Sequence, residues 1–276
     1  MTECERKEYI LSLSYGKDSL ACLGAIERLK WPLDRIVHAE VWATDTISAD
    51  LPPMVEFKKK ADSIIKSRYG IEVEHVCAVE KKGGRLSFEN QFYKPRTKGK
   101  SIGVIYGFPM VRGPWCNSEL KRRALRQCFP QGSLAQGAST NIVQYLGITA
   151  DEPERIRRHT RRGIMLPLVD AGWDEAYCSK WCEQNDLLSP IYTASTRGGC
   201  WFCHNQSLDQ LRVLRRNYPD LWALLLKWDE DSPVTFRTDG HTVHDLDRRF
   251  QLEDDGKIPT DKRFRWDMLD KYTKEG

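Results

Sequence analysis

Apolar and polar positions in the first third of the chain change rhythm at regular intervals. Residues 8–14 (EYILSLS) are a short apolar run of strand length. From 18 to 30, Leu20, Leu23, Ile26 and Leu29 recur at helical spacing. A second strand is predicted over 35–43 (RIVHAEVWA), then a helix over 54–69 ended by Gly70, then an alternating strand over 71–77 (IEVEHVC). Strands separated by helices of this length imply a parallel sheet with helical crossovers. Residues 80–115 have no clear period and mix glycines, basic residues and aromatics.

The rhythm resumes with a helix over 117–129, capped by Asn117 or Ser118, and a fourth strand over 141–148 (NIVQYLGI). A basic helix over 151–162 opens on Asp151-Glu152-Pro153, since acids and a first-turn proline suit a helix start. A fifth strand is expected over 164–169 (IMLPLV) and a helix over 173–185. Beyond Cys203 the pattern is helical over 205–217 and 219–228, with a polar, mostly helical tail over 230–276. The expected fold is therefore α/β: a doubly wound, mainly parallel five-stranded sheet with helices on both faces, plus a helical C-terminal extension. The expected domains are 1–205 and 206–276.

Composition narrows the class. The 276 residues are 40% hydrophobic and 30% charged, which is ordinary for a globular chain. No apolar run approaches the roughly 18–20 residues of a membrane span. The charged N-terminus, MTECERKEYI, lacks the apolar centre of a signal peptide, so a cytoplasmic location is expected. In a reducing compartment, clustered cysteines point to metal binding or catalysis. The net charge of +4 is modest, but basic residues gather at Lys121, Arg122, Arg123 and Arg126, and at Arg155, Arg157, Arg158, Arg161 and Arg162. Such groups suit phosphates, and equally a solvated helix face.

The chemistry starts where the first strand meets the first helix, at Ser14-Tyr15-Gly16-Lys17-Asp18-Ser19. Gly16 allows the backbone to approach an anion. The open N–H groups and dipole of the helix start favour negative charge there. Lys17 adds a cation, and Ser14 and Ser19 add hydroxyls. The common P-loop, GxxxxGK[ST], is not present.

This hexapeptide resembles the PP-loop, SxGKDS, of the ATP pyrophosphatase and PAPS reductase superfamily. Tyr15 replaces the usual glycine, with an expected narrowing of the pocket beside the phosphates. Other stretches are similar to the superfamily in the same order. Trp42-Ala43-Thr44-Asp45-Thr46 lies where the family has a DTG-like element. Trp115-Cys116-Asn117-Ser118-Glu119-Leu120-Lys121 looks like its C[CT]xxLK segment. Gly147-Ile148-Thr149-Ala150-Asp151-Glu152 looks like GIRADE, with Thr149 for the arginine. Pro167-Leu168 through Pro190-Ile191-Tyr192 looks like PL…W…NPLY, and Cys200-Trp201-Phe202-Cys203 looks like the terminal GCxxC. The resemblance spans roughly residues 8–205. It implies that Ser14, Tyr15, Gly16, Lys17, Asp18, Ser19, Asp45, Thr46 and Gly147 surround an adenine nucleotide.

Cys200 and Cys203 are spaced to reach one metal. The resemblance makes Cys116 the third ligand, although Trp115 stands where [4Fe-4S] relatives have a further cysteine. Cys182 is the fourth candidate, ahead of Cys178 and His204. Four thiolates suit zinc or an iron–sulfur cluster alike, and the resemblance favours [4Fe-4S]. Cys4, Cys22, Cys77 and Cys128 read as ordinary buried or surface residues.

Sulfonucleotide reductases attack sulfur with a C-terminal cysteine, and no cysteine lies beyond Cys203. The expected activity is therefore ATP-dependent adenylation, splitting ATP to AMP and pyrophosphate, in sulfur transfer or nucleic-acid modification. Asp18 or Asp45 would help hold Mg²⁺. Arg155 or Arg157 would face charge developing at the α-phosphate. Two alternatives are a thiol-dependent adenylyl sulfate reductase and a nucleotide-binding module without turnover. Phe88, Phe92, Tyr93, Tyr106 and Phe108, interleaved with basic residues, are candidate base-stacking groups for tRNA or DNA.

Overall fold

The computed structural model of the chain describes residues 6–109, 114–129, 141–160, 163–191 and 199–272. Cys4, Arg161, Arg162 and Tyr192 lie outside the described residues. The chain divides into two compact units, one of Met1–Phe88 with Trp115–Cys200, the other of Glu89–Pro114 with Trp201–Gly276. The second unit takes in much of the aperiodic stretch 80–115.

The first unit is built on a five-stranded sheet in which every pairing is parallel. Its strands are β1 (Glu8–Leu13), β2 (Arg35–Ala39), β3 (Val73–Val76), β4 (Ile142–Tyr145) and β5 (Ile164–Met165). The spatial order β3-β2-β1-β4-β5 reverses direction between β1 and β4. In an open α/β sheet such a reversal leaves a crevice beyond the carboxyl ends of the strands, where ligands bind. Leu11 is paired with Ile36 on one side and Tyr145 on the other, which fixes the register at the centre of the sheet.

Helices α1 (Lys17–Leu29) and α2 (Pro52–Tyr69) follow β1 and β2. Their apolar faces, with Leu20, Leu23 and Ile26 on α1 and Phe57, Ala61 and Ile65 on α2, join Leu11, Leu13 and Ile36 in one buried core. Gly70 ends α2 in the left-handed conformation, as the sequence leads one to expect. The short α3 (Phe88–Phe92) spans the change from one unit to the other. The predicted helix over 117–129 opens as a π-helix, Cys116–Arg122, and continues as α4 (Arg123–Cys128). After β4 come α5 (Pro153–His159), α6 (Pro167–Asp170) and α7 (Glu175–Gln184). The fifth strand is shorter than predicted. It stops at Met165, because Pro167 cannot donate to a ladder and instead starts the single turn of α6.

The second unit contains α8 (Leu208–Asn217), α9 (Pro219–Asp231) and α10 (Val243–Asp254), followed by a 3₁₀ segment, Trp266–Tyr272. Capping boxes at Ser207/Gln210 and Thr242/Asp245 start α8 and α10. Trp201, Trp228, Phe92, Phe108 and Phe236 form a buried aromatic core. No helix among the described residues is long and apolar enough to cross a membrane.

Candidate functional site

Parallel pairing brings the carboxyl ends of β1, β2 and β4 to one edge of the sheet. At that edge, residues 14–16 turn β1 into α1. Gly16 is the N-cap, extended at φ −76° and ψ 152°, and no side chain caps the helix. A helix start of this kind, with its dipole pointing outward, suits an anion. Ser19 closes the turn from inside. Its hydroxyl accepts from Ser14 N at 3.1 Å and Ser14 Oγ at 3.0 Å, and donates to Gly16 O at 2.9 Å.

Lys17 is 9% exposed, and its ammonium lies 2.8 Å from Asp18 Oδ1 and 2.7 Å from Glu175 Oε1. Burial alone would lower its pKa. The hydrogen bonds to Asp18 and Glu175 outweigh that, so the net shift is upward and Lys17 stays charged. Asp151, held acidic first by its hydrogen bond with Thr149, also feels the Lys17 charge.

Gly147, just past the end of β4, meets the start of α1 directly. A Cβ at this position would lie 2.8 Å from both Cα and N of Ser19. The two strands flanking the reversal thus touch through backbone at the loop itself.

Behind the loop is a polar network that sequence reasoning missed. Tyr15 is fully buried, so its ring does not narrow a pocket beside the loop; it turns inward. Its hydroxyl donates to Asp62 and lies 3.0 Å from His75 Nε2, which in turn is 2.9 Å from Asp62 Oδ2. His75 Nδ1 is 3.4 Å from Glu40. Lys58 links Glu40 at 3.6 Å, Asp50 at 2.5 Å and His38 Nε2 at 2.8 Å. His38 Nδ1 bonds Leu13 O at 2.9 Å, at the end of β1. The charge states follow from these partners. Asp62, then Glu40, raise His75 to about 9. Burial, then Lys58, push His38 down to about 3, so it is neutral and accepts from Lys58. The hydrogen bond from His75 is the largest effect holding Glu40 down at about 2. Burial, reinforced by Asp62, pushes the Tyr15 hydroxyl far up. One signal was in the sequence. Lys58 and Asp62 are one helical turn apart, and His38 and His75 are polar residues inside apolar strands. Only the β2–β3 register, in which His38 faces His75, unites them.

The other expected residues fare unevenly. Asp45 and Thr46 are exposed on a turn after β2, closed by Ala43 N donating to Ile47 O at 2.8 Å. They share the carboxyl edge with the loop. Arg155 is exposed and is gripped by Glu152 at 2.6 and 2.7 Å, while Arg157 pairs with Glu154 at 2.9 Å. Both arginines are thus already paired within their own short helix.

Among the described residues, no three histidine, cysteine, aspartate or glutamate side chains are grouped to hold a metal. Of the expected ligands, Cys116, Cys182 and Cys200 belong to the first unit and Cys203 to the second. Cys182 packs with Cys178 and Cys22 in the apolar core, and its thiol donates to Lys17 O at 3.2 Å. Burial raises both Cys178 and Cys182 to about 12 and pushes Cys22 well up too, so all three are neutral thiols. A Mg²⁺ ion is held largely by substrate phosphates and water with one or two carboxylates.

The expected base-stacking groups are occupied elsewhere. Phe88, Phe92 and Phe108 are buried, with Phe88 stacked on Trp115. Tyr93 donates to Asp231 at 2.5 Å, and the Tyr106 ring carries Arg96. No protein-family model, no curated protein and no solved structure matches the chain.

Proposed function

We propose that the chain is an ATP-dependent adenylating enzyme of PP-loop type, which splits ATP to AMP and pyrophosphate. The finer fold reading goes with it: a doubly wound sheet with helices on both faces, a helical C-terminal extension, and a cytoplasmic setting. One observation carries the proposal. A buried, charged lysine stands at the uncapped start of α1, at the reversal of strand order, with the Gly147 backbone against it. A buried cation at a helix start at such a point favours a polyanion over a neutral ligand.

In this scheme the N–H groups of residues 16–19 and the Lys17 ammonium hold the β- and γ-phosphates. Glu175, whose side chain is 65% exposed, swings aside to admit them. Asp18 is placed to share a Mg²⁺ that arrives with the nucleotide. An oxygen of the acceptor attacks the α-phosphorus, and the bond to the bridging oxygen breaks. The electron pair leaves with pyrophosphate, whose charge the loop stabilises, and the acceptor's proton passes to solvent. Nucleic acids are the first acceptors to try, because Lys121, Arg122 and Arg158 are exposed basic groups.

The test is turnover of ATP labelled at the α-phosphate, in Mg²⁺, with products resolved as AMP or ADP. AMP and pyrophosphate should form, and Lys17→Ala should lower kcat/KM by about 10²–10³. ATP bound without turnover, in the presence of candidate acceptors, would overturn adenylation in favour of a binding module.

A further inference from the structure

Tyr15 carries an unusual backbone. Its φ is +55°, in the left-handed region that a non-glycine residue enters at a cost. Something must hold it there, and its side chain shows what does. The ring is fully buried, edge-on to His38 at 4.8 Å between centroids, with the Lys58 ammonium 5.4 Å from its own centroid. The hydroxyl is shared between Asp62 on α2 and His75 on β3. Glu40 and Asp50 complete the charges around it through His75 and Lys58. Every element beside β1 on this side therefore contributes a group to one anchor, and that anchor is the second residue of the loop.

We infer that Tyr15 is a positioning residue: its side chain, clamped by Asp62 and His75, holds residues 14–19 in the turn that joins β1 to α1. The clamp substitutes for the conformational freedom that a glycine would supply at this position. A glycine would permit the turn, whereas the clamped tyrosine enforces it before any ligand arrives. Pre-ordering of this kind lowers the entropic cost of binding. The consequence for nucleotide rests on the loop being the phosphate site proposed above, but the clamp itself does not.

Two readouts separate the two. The full chain is prepared as the parent, Tyr15→Phe, Asp62→Asn and Tyr145→Phe. The last is a control, because Tyr145 is equally buried in the same core and its hydroxyl donates to Pro32 O at 2.9 Å, away from the loop. Amide exchange over residues 14–19 is measured without ligand, and the dissociation constant for ATP is measured by titration. Tyr15→Phe and Asp62→Asn should each raise loop exchange about tenfold and weaken ATP about tenfold, as expected for one lost buried hydrogen bond. Tyr145→Phe should lower the urea midpoint comparably and leave both loop readouts unchanged. Loop exchange that stays at the parent value in Tyr15→Phe overturns the inference, and so does an equal rise in Tyr145→Phe. A parent that ignores ATP would sink the proposed function, while loop exchange would still decide the clamp.

Discussion

Gly147→Ala adds one methyl group, with no change of charge, at the point where β4 meets the start of α1. That methyl would stand 2.8 Å from Ser19 Cα and N and 2.9 Å from the carbonyl carbon of Asp18, where ordinary contact begins near 3.4 Å. All three neighbours are backbone atoms in the first turn of a helix, so no side-chain rotation relieves the overlap. Overpacking of this kind costs about 1–3 kcal/mol. Relief requires α1 and the end of β4 to part, and Lys17 and Ser19 move with the helix. Two quantities should change together. The urea midpoint falls at constant m, and ATP affinity falls by roughly tenfold, which corresponds to about 1.4 kcal/mol of that cost appearing at the loop. Equilibrium unfolding by circular dichroism and ATP titration would measure them on the same sample. A variant that unfolds within about 0.5 kcal/mol of the parent and binds ATP equally would refute the claim that β4 braces the loop through backbone contact.

Stability should depend on pH through His75. Its folded pKa, about 9, is above the ordinary 6.5, so its contribution is whole below about 6.5 and is lost as pH climbs toward 9. Discounted for partial exposure, the loss is about 1–2 kcal/mol, and His75→Gln should flatten it in urea titrations at pH 6 and 9.5; a parent chain equally stable at both would contradict the assignment. Glu175→Gln should tighten ATP about two- to fivefold, because an exposed ion pair worth up to about 1 kcal/mol no longer competes for Lys17. Weaker, Mg²⁺-dependent binding in that variant would instead make Glu175 a metal-side group.

The sheet was legible because its strands are short apolar runs between well-marked helices, and the loop because a glycine and a lysine stand where such a strand ends. What the sequence hid depends on register and on packing across elements. His38 and His75 are far apart in the chain and become neighbours only when β2 and β3 pair. Tyr15 reads as a bulky substitution in a phosphate loop until its hydroxyl is found on α2. Cys178 and Cys182, four apart on one helix, share a face as predicted, and that face is turned into the core against α1. Phe88, Phe92 and Phe108 belong to interiors, because rings of that size carry a large apolar surface to bury.

The network is buried at Lys58, whose side chain is 6% exposed, and partly open at Glu40, Asp62 and His75. Moving the Lys58 ammonium out of water is unfavourable unless its carboxylate partners are in place. An apolar core would be no less stable, so the network is not explained by stability alone. Its specificity is a better account. A turn containing a left-handed tyrosine has few ways of forming, and the hydroxyl, with Asp62 and His75 both in reach, selects one. The same elements fix the loop from its other sides, with Leu13 O held by His38 and Lys17 O held by Cys182. Residues 13–17 are therefore tied down through side chains reaching in from β2, β3, α2 and α7. A loop restrained in this way on its protein side suits an anion site at the start of a helix.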